Sequence, residues 1–321
     1  MRRQLLFFVA SVIFTLLLAE GLLRLYPYFR PLPRTYVGEY ENRQAKYLVA
    51  DPTIGWKFRP HVSAGIGAVE SNAQGFRSPR DFDPNQPCRR IAMAGDSFTW
   101  GYGIKYEDTF AALTESALPG YCVDNMGMPG TGLDQMWQTV RTQALPLRPR
   151  LVVVAFISQD LTRSEEAYSA FMGFNKPTYL LVDGRLVPET ASERPNFLVR
   201  FLQRHSSLWR VGRLASRTVS HFLPYGEWWH LNAAILDQIR DDCHSAGVPA
   251  LFIYIPTRDW GAFPTLRSYM ASAQANFIDL SRGEFTLTRD MYLPDGHLNE
   301  KGDRLVADAI LHWVRQNPGT L

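Results

Sequence analysis

The chain opens with an apolar run, LLFFVASVIFTLLLAEGLL from Leu5 to Leu23, in which Glu20 is the one charge. As a helix this run would be about 28 Å long, close to the roughly 30 Å hydrocarbon layer of a bilayer. Arg2 and Arg3 precede it, so the positive-inside bias predicts a cytoplasmic N-terminus and export of everything after Arg24. Tyr26, Tyr28 and Phe29 would follow at interface depth. The expectation is a single-pass anchor over residues 1–30 in the inner (cytoplasmic) membrane, with the body on the extracytoplasmic, periplasmic side. A cleaved signal peptide and a buried core helix are the alternatives; Ala19-Glu20-Gly21 makes a poor cleavage site, and the run is long for a core helix.

Residues 31–89 are rich in Pro, Gly and Arg with short alternating pieces such as GWKF (55–58), which predicts a lead-in with edge strands packed on the core. From Arg90 the pattern changes to apolar runs alternating with amphipathic stretches, the mark of an open parallel sheet with helices on its faces. Strands are predicted at 91–95, 121–125, 151–157, 249–255 and 277–280. Helices are predicted at 107–118, 133–144, 227–246, 264–273 and 299–314, the last opening at Asn299, a good N-cap. The run LVVVAFI (151–157) is unbroken and β-branched, as suits a strand covered on both faces. Residues 161–226 break the alternation and are too long for a plain connection, so an inserted cap is expected there. The predicted fold is a three-layer, doubly wound α/β domain of about five parallel strands over residues 90–321.

Composition narrows the class of function. The 34 Lys+Arg nearly balance 31 Asp+Glu over 321 residues and form no long basic run, which argues against nucleic acid as a partner. The apolar share of 46% excludes a disordered chain. Three cysteines cannot build a disulfide scaffold, but Cys88 and Cys122 stand at the starts of two strands expected to be neighbours, and outside the cytoplasm they could bond. Cys243, alone in a helix, reads as a buried thiol.

In an open α/β sheet, ligands sit beyond the carboxyl ends of the strands. The segments there are GDSFTWG (95–101), NMGMPGTG (125–132), Ser158-Gln159-Asp160 and Asp295-Gly296-His297. Together they supply the parts of acyl transfer through serine. Ser97 needs a base; an imidazole titrates near neutrality, so His297 can take the serine proton and return it to a leaving alcohol. Asp295 would orient the imidazole, with Asp290 as the other nearby acid. N–H groups of Ser97 and Gly130 and the Gln159 amide would hold the oxyanion, each donor worth roughly 2.7–4 kcal/mol.

These blocks resemble those of the SGNH/GDSL superfamily of serine esterases, lipases and carbohydrate deacetylases. GDSFTWG is similar to the family's first block, whose serine is nucleophile and backbone donor, here Ser97. The second-block glycine maps to Gly130 as an oxyanion donor, and the final block DGHLNEKG carries the acid Asp295 and the base His297. Asp-x-His replaces the commoner Asp-x-x-His, and the shorter form resembles membrane-associated relatives involved in polysaccharide acetylation. The third block usually ends in Asn-Asp; here it is Gln159-Asp160, whose amide head sits about 1.5 Å further out. The resemblance covers about residues 51–316, including DPTIGWKF and NAQGFR (72–77). It implies a flavodoxin-like fold and an esterase working through an acyl-enzyme on O-acyl esters, such as O-acetyl groups of an envelope carbohydrate. An O-acyltransferase, or an exported binding module of weak or no turnover, is the alternative.

Other features are set aside. Gly101-Tyr102-Gly103 lacks the third glycine of a dinucleotide fingerprint, and no Cys or His spacing fits zinc, so neither cofactor nor metal is expected. Trp228, Trp229, Phe171, Phe174 and Tyr179 could stack on sugar rings, though such aromatics more often fill cores.

Overall fold

The computed structural model describes residues 2–25, 47–63, 71–169, 172–189, 227–257 and 264–320, with short pieces between 198 and 212. Its contacts divide the chain into two units, residues 1–44 with 192–226, and residues 45–191 with 227–321. The expected insert therefore divides, its first half joining the unit of the sheet.

In the smaller unit, helix α1 runs Arg2–Leu23. Its Phe7, Phe8, Ile13, Phe14 and Leu17 are exposed. Among the described residues, however, no helix is long and apolar enough to cross a membrane, so the predicted crossing finds no support here. The interruption at Glu20 has a local use. Its carboxylate accepts from Arg24 Nε at 2.9 Å, from the backbone N–H of Ser207 at 2.8 Å and Leu208 at 2.9 Å, and from the Ser206 hydroxyl at 2.9 Å. An acid satisfying otherwise unpaired N–H groups where a helical turn begins is favourable, and it ties the last turn of α1 to polar chain. Tyr26, Tyr28 and Phe29 lie outside the described residues.

In the larger unit, β1 (Leu48–Asp51) and β2 (Gly55–Phe58) form an antiparallel hairpin. There follow β3 (Arg89–Gly95), a one-turn α2 (Ser97–Trp100), α3 (Phe110–Ala117) and β4 (Tyr121–Gly127). Next come α4 (Leu133–Thr139), β5 (Leu151–Phe156) and α5 (Ser158–Arg163). Two hairpins occupy the first half of the insert, β6 (Tyr168–Ser169) with β7 (Phe174–Asn175), and β8 (Tyr179–Val182) with β9 (Arg185–Pro188). The alternation resumes with α6 (Glu227–Ser245), β10 (Ala250–Tyr254), α7 (Pro264–Ser272), β11 (Asn276–Asp279) and α8 (Glu300–Gln316).

The main sheet has the order β11-β10-β5-β3-β4, parallel throughout. In chain order this is the doubly wound 2-1-3-4-5 arrangement, whose direction reverses between β3 and β5, the place where such sheets bind ligands. Alternation along β5 divides the core. Leu151, Val153 and Ala155 pack with Phe110 of α3 and Val306, Ile310 and Val314 of α8 on one face. Val152, Val154 and Phe156 pack with Met136 of α4, Ile235 and Ile239 of α6 and Met270 of α7 on the other. Helix α8 starts where the pattern places it, because the Asn299 side chain accepts from the N–H groups of Lys301 at 3.0 Å and Gly302 at 3.2 Å. A third cluster joins Ile54, Trp56, Phe58, Phe76 and Phe82 of the lead-in to Trp100, Met126 and Met128 near the carboxyl ends of β3 and β4.

Cys88 and Cys122 are joined in a disulfide across the amino-terminal ends of β3 and β4, where Arg89 pairs with Tyr121. Cys243 is free and fully buried; burial, with the charge of Asp242, pushes its thiol up to about 12. Closing a loop of this length restricts the unfolded chain by about 2–4 kcal/mol. The double substitution of Cys88 and Cys122 by serine should therefore lower the unfolding free energy measured by urea titration by an amount within that range, and dithiothreitol should reproduce the loss in the wild type but not in the variant.

Candidate active site

The chain turns sharply after β3, and glycines make the turn possible. A Cβ on Gly95 would stand 1.9 Å from Thr99 Oγ1 and 2.6 Å from the Ala155 carbonyl oxygen, and one on Gly127 would stand 2.3 Å from Trp100 N. Only bare backbone lets α2 drop onto the ends of β4 and β5. Asp96 caps α2 by accepting from Phe98 N–H at 2.9 Å, which leaves Ser97 as the first helical residue. The Asn125 side chain donates to the Thr99 carbonyl at 2.8 Å and accepts from Gly127 N–H at 3.0 Å, fastening α2 to the end of β4. Gly101, at φ +77°, ends the helix after one turn.

His297 arrives from the other end of the chain, on the loop before α8. Its Nε2 lies 2.9 Å from Ser97 Oγ. The ring sits against Phe98 and Tyr102, with centroids 5.0 and 4.6 Å away. Tyr102 is itself placed by the lead-in, because buried Arg77 donates to the carbonyls of Trp100, Gly101 and Ile104 at 3.0, 2.6 and 2.9 Å. Burial holds that guanidinium down to about 10.

The two candidate acids separate. Asp295 Oδ2 lies 3.2 Å from His297 Nδ1, but Nδ1 makes no hydrogen bond; the other oxygen, Oδ1, accepts from the His297 backbone N–H at 3.1 Å. The carboxylate is beside the ring and out of line with it, as catalytic contacts often are before substrate binds. Asp290 is engaged elsewhere, accepting from Thr288 Oγ1 at 2.6 Å with Lys301 Nζ at 3.5 Å. Those contacts, the Thr288 hydroxyl first, hold its carboxyl below the ordinary range.

The proposed oxyanion donors lie at the ends of three adjacent strands. The N–H groups of Ser97 and Gly130 have no acceptor among the described residues. Gly130 is at φ +78°, which favours glycine whatever the space, and a Cβ there would also press on the Met172 side chain, 2.9 Å from its Cγ. Gln159 follows β5 in the first turn of α5, and its buried Oε1 has no partner. The amide is thus unspent, though its carbonyl end faces inward.

Several residues here escaped the reading of the sequence. Asp96 and Asp160 are fully buried, and Arg163 reaches both, at 3.4 and 2.5 Å. The spacing Asp160-x-x-Arg163 was a readable sign, since residues three apart on a helix are neighbours. Burial, and then the charge of Asp96, push the Asp160 carboxyl well above its ordinary range. Three of the aromatics considered for sugar stacking pack against other rings. Tyr179 lies 4.8 Å from Trp137, Trp229 lies 5.5 Å from Tyr269 and Phe174 lies 6.2 Å from Trp56; each contributes to internal packing, which is the commoner use of such rings. Phe171 and the Trp228 side chain lie outside the described residues.

No protein-family model matches the chain, and no curated protein matches it. Solved structures do show likeness to it. A lipolytic protein of the G-D-S-L family from Veillonella parvula aligns at 13% identity and TM-score 0.41, covering 70% of this chain and 97% of that one. TesA aligns at 12% identity and TM-score 0.43, covering 71% and 99%. The esterase EstA from Pseudoalteromonas aligns at 11% identity and TM-score 0.43, covering 72% and 99%. At such values the functional reading rests on the residues of the site themselves.

The placement of the two acids gives an expected outcome. Asp295→Asn should lower kcat on an activated ester by about a hundredfold or more, as loss of the group that orients a catalytic imidazole does. Asp290→Asn should leave kcat within about twofold; the pair is compared by steady-state kinetics.

Proposed function

We propose that this chain is a serine ester hydrolase of the SGNH/GDSL type, working through an acyl-enzyme on Ser97. The observation that carries the reading is the 2.9 Å contact between Ser97 Oγ and His297 Nε2, made between residues 200 positions apart and set at the switch point of the sheet. With its proton on Nδ1, toward Asp295, the imidazole has Nε2 free to accept the serine proton. Ser97 Oγ then bonds to the ester carbonyl carbon. The carbonyl oxygen takes the negative charge, held by the N–H groups of Ser97 and Gly130 and by the Gln159 amide once it turns its nitrogen outward. Collapse breaks the bond to the alcohol, which leaves with the proton from His297. Water, or the hydroxyl of a second sugar, repeats the sequence on the acyl-enzyme and frees Ser97.

The acyl group we assign is small, acetyl first, and the alcohol a hydroxyl of an envelope carbohydrate. Support for this finer assignment is the Asp-x-His form of the last block, together with an extracytoplasmic setting. That setting is in turn supported by the Cys88–Cys122 disulfide, since such bonds persist in oxidising compartments. The exposed apolar side chains of α1 support membrane attachment through this helix. The longer Gln159 side chain in place of asparagine, with its buried Oε1 toward the interior, favours one other reading, an exported binding module of weak turnover.

Two measurements test the proposal. Full-length protein in detergent should give a burst of p-nitrophenol from p-nitrophenyl acetate, and Ser97→Ala should abolish the burst and lower turnover about a thousandfold or more; equal rates would select the binding module. Cell fractionation should find the full chain in the membrane pellet, and a chain starting at residue 31 should lose that association. Retention of the shortened chain in the pellet would remove α1 as the attachment.

A further inference from the structure

Beneath the nucleophile is a group of charges that the proposed chemistry does not itself use. Asp96 and Asp160 have fully buried side chains, and the Arg163 side chain, partly exposed, stands between them. A single nitrogen of Arg163, Nη1, donates to Asp160 Oδ1 at 2.5 Å, to the Thr131 carbonyl at 3.3 Å and to Asp96 Oδ2 at 3.4 Å. Each acceptor is tied in turn to one strand end. The second oxygen of Asp96 caps α2 through Phe98 N–H at 2.9 Å, just after β3. Thr131 closes the turn after β4, its hydroxyl bonded to the Met128 carbonyl at 2.8 Å and the Gly95 carbonyl at 3.3 Å. The second oxygen of Asp160 accepts from Ile157 N–H at 2.9 Å, just after β5.

The three segments so joined carry the three donors assigned to the oxyanion: Ser97 adjoins Asp96, Gly130 adjoins Thr131 and Gln159 adjoins Asp160. The backbone adds a steric part to the same joint. A Cβ on Gly132 would stand 2.9 Å from both the carbonyl carbon and the Cβ of Arg163, so the end of α5 is seated directly on the turn that holds Gly130.

We propose that Arg163 is a positioning residue of the oxyanion hole, joining the three strand-end segments at one nitrogen so that their donors keep a common spacing. The proposal rests on the serine hydrolase reading above. Arg163 touches no reacting atom in it; it acts through Asp96, Thr131 and Asp160. Because donors in a preorganised site are effective only near the position the oxyanion will occupy, loosening the joint should slow acylation and leave ester binding almost unchanged. A purely structural ion pair would instead show in stability.

The test uses full-length protein and p-nitrophenyl acetate, with the burst rate reporting acylation and its dependence on ester concentration reporting binding. Arg163→Met should slow acylation about a hundredfold with the ester dissociation constant within threefold. Arg163→Lys should recover at least tenfold of that loss, since one nitrogen makes all three bonds and an ammonium can supply them. Removing the cation alone leaves two buried carboxylates against no cation and endangers folding, so the double variant Asp160→Asn/Arg163→Met, which keeps the wild-type excess of one carboxylate in the cluster, is measured as well. If charge compensation were the whole role of Arg163, this pair would acylate within threefold of wild type, and that result overturns the proposal. Slow acylation in a double variant that melts within a few degrees of wild type supports it. Wild type and Ser97→Ala run alongside separate the two levels. Absence of a serine-dependent burst in wild type overturns both the hydrolase reading and this one, whereas a normal wild-type burst with a fast double variant overturns this one alone.

Discussion

The structure turns on the close approach of backbone at the carboxyl end of β3. With 2.6 Å between a would-be Cβ on Gly95 and the Ala155 carbonyl oxygen, and 2.3 Å between one on Gly127 and Trp100 N, a side chain at either glycine would push apart the strand ends and α2 and carry Ser97 away with them. The sheet reverses its winding at this point, so the connections after β3 and β5 leave toward opposite faces and a crevice opens between them. The nucleophile sits at that crevice because the strand cannot continue and the chain has only glycine and a capped single turn with which to leave. Charge and packing then maintain what sterics permits. Asp96 fixes the first turn of α2, Asn125 fastens its carbonyl side to β4, and Arg77 reaches from the lead-in to hold the loop on which Tyr102 meets the histidine ring.

This constraint also explains why residues so far apart in the chain can act together. Ser97 lies at the end of the first strand of the sheet, whereas His297 follows the last. Parallel topology sends every strand's carboxyl end to the same edge, and α8, packed on the face opposite α4 and α6, returns the final loop to that edge. The aromatic contacts of Phe98 and Tyr102 with His297 limit where the ring can go. Asp295 is less constrained. It stands on a turn with glycine at φ +97° beside it, close to Nδ1 but misaligned, so the acid has freedom that the serine and histidine lack.

Much of this was legible in the amino-acid order, for identifiable reasons. The strands at 151–157 and 249–255 announce themselves because both faces are covered and no polar position interrupts them. Helix α8 carries its own start signal in Asn299; Ser97 was found as a candidate because it stands where a strand ends and a helix begins, and His297 because it stands just ahead of the last helix. Other features depend on partners distant in sequence. Nothing local to Arg163 names Asp96, 67 positions earlier, and nothing local to Phe174 or Tyr179 shows that each is taken up by a tryptophan. The anchor expected over Leu5–Leu23 was inferred from the length of the apolar run and the arginines before it, which do not register that Glu20 is bonded to residues 206–208. Where the insert divides was equally hidden, since residues 161–191 and 192–226 share the same mixed pattern although they fall in different units.

The central claim is that one hydroxyl is activated by one imidazole at this edge, and covalent trapping reaches it most directly. Full-length protein treated with diethyl p-nitrophenyl phosphate, digested and examined by mass spectrometry should carry a single diethylphosphoryl group, on the peptide containing Ser97, with labelling lost in His297→Ala. A protein that stays unlabelled under conditions that label an active serine esterase, or that carries the group on another residue, would contradict the account.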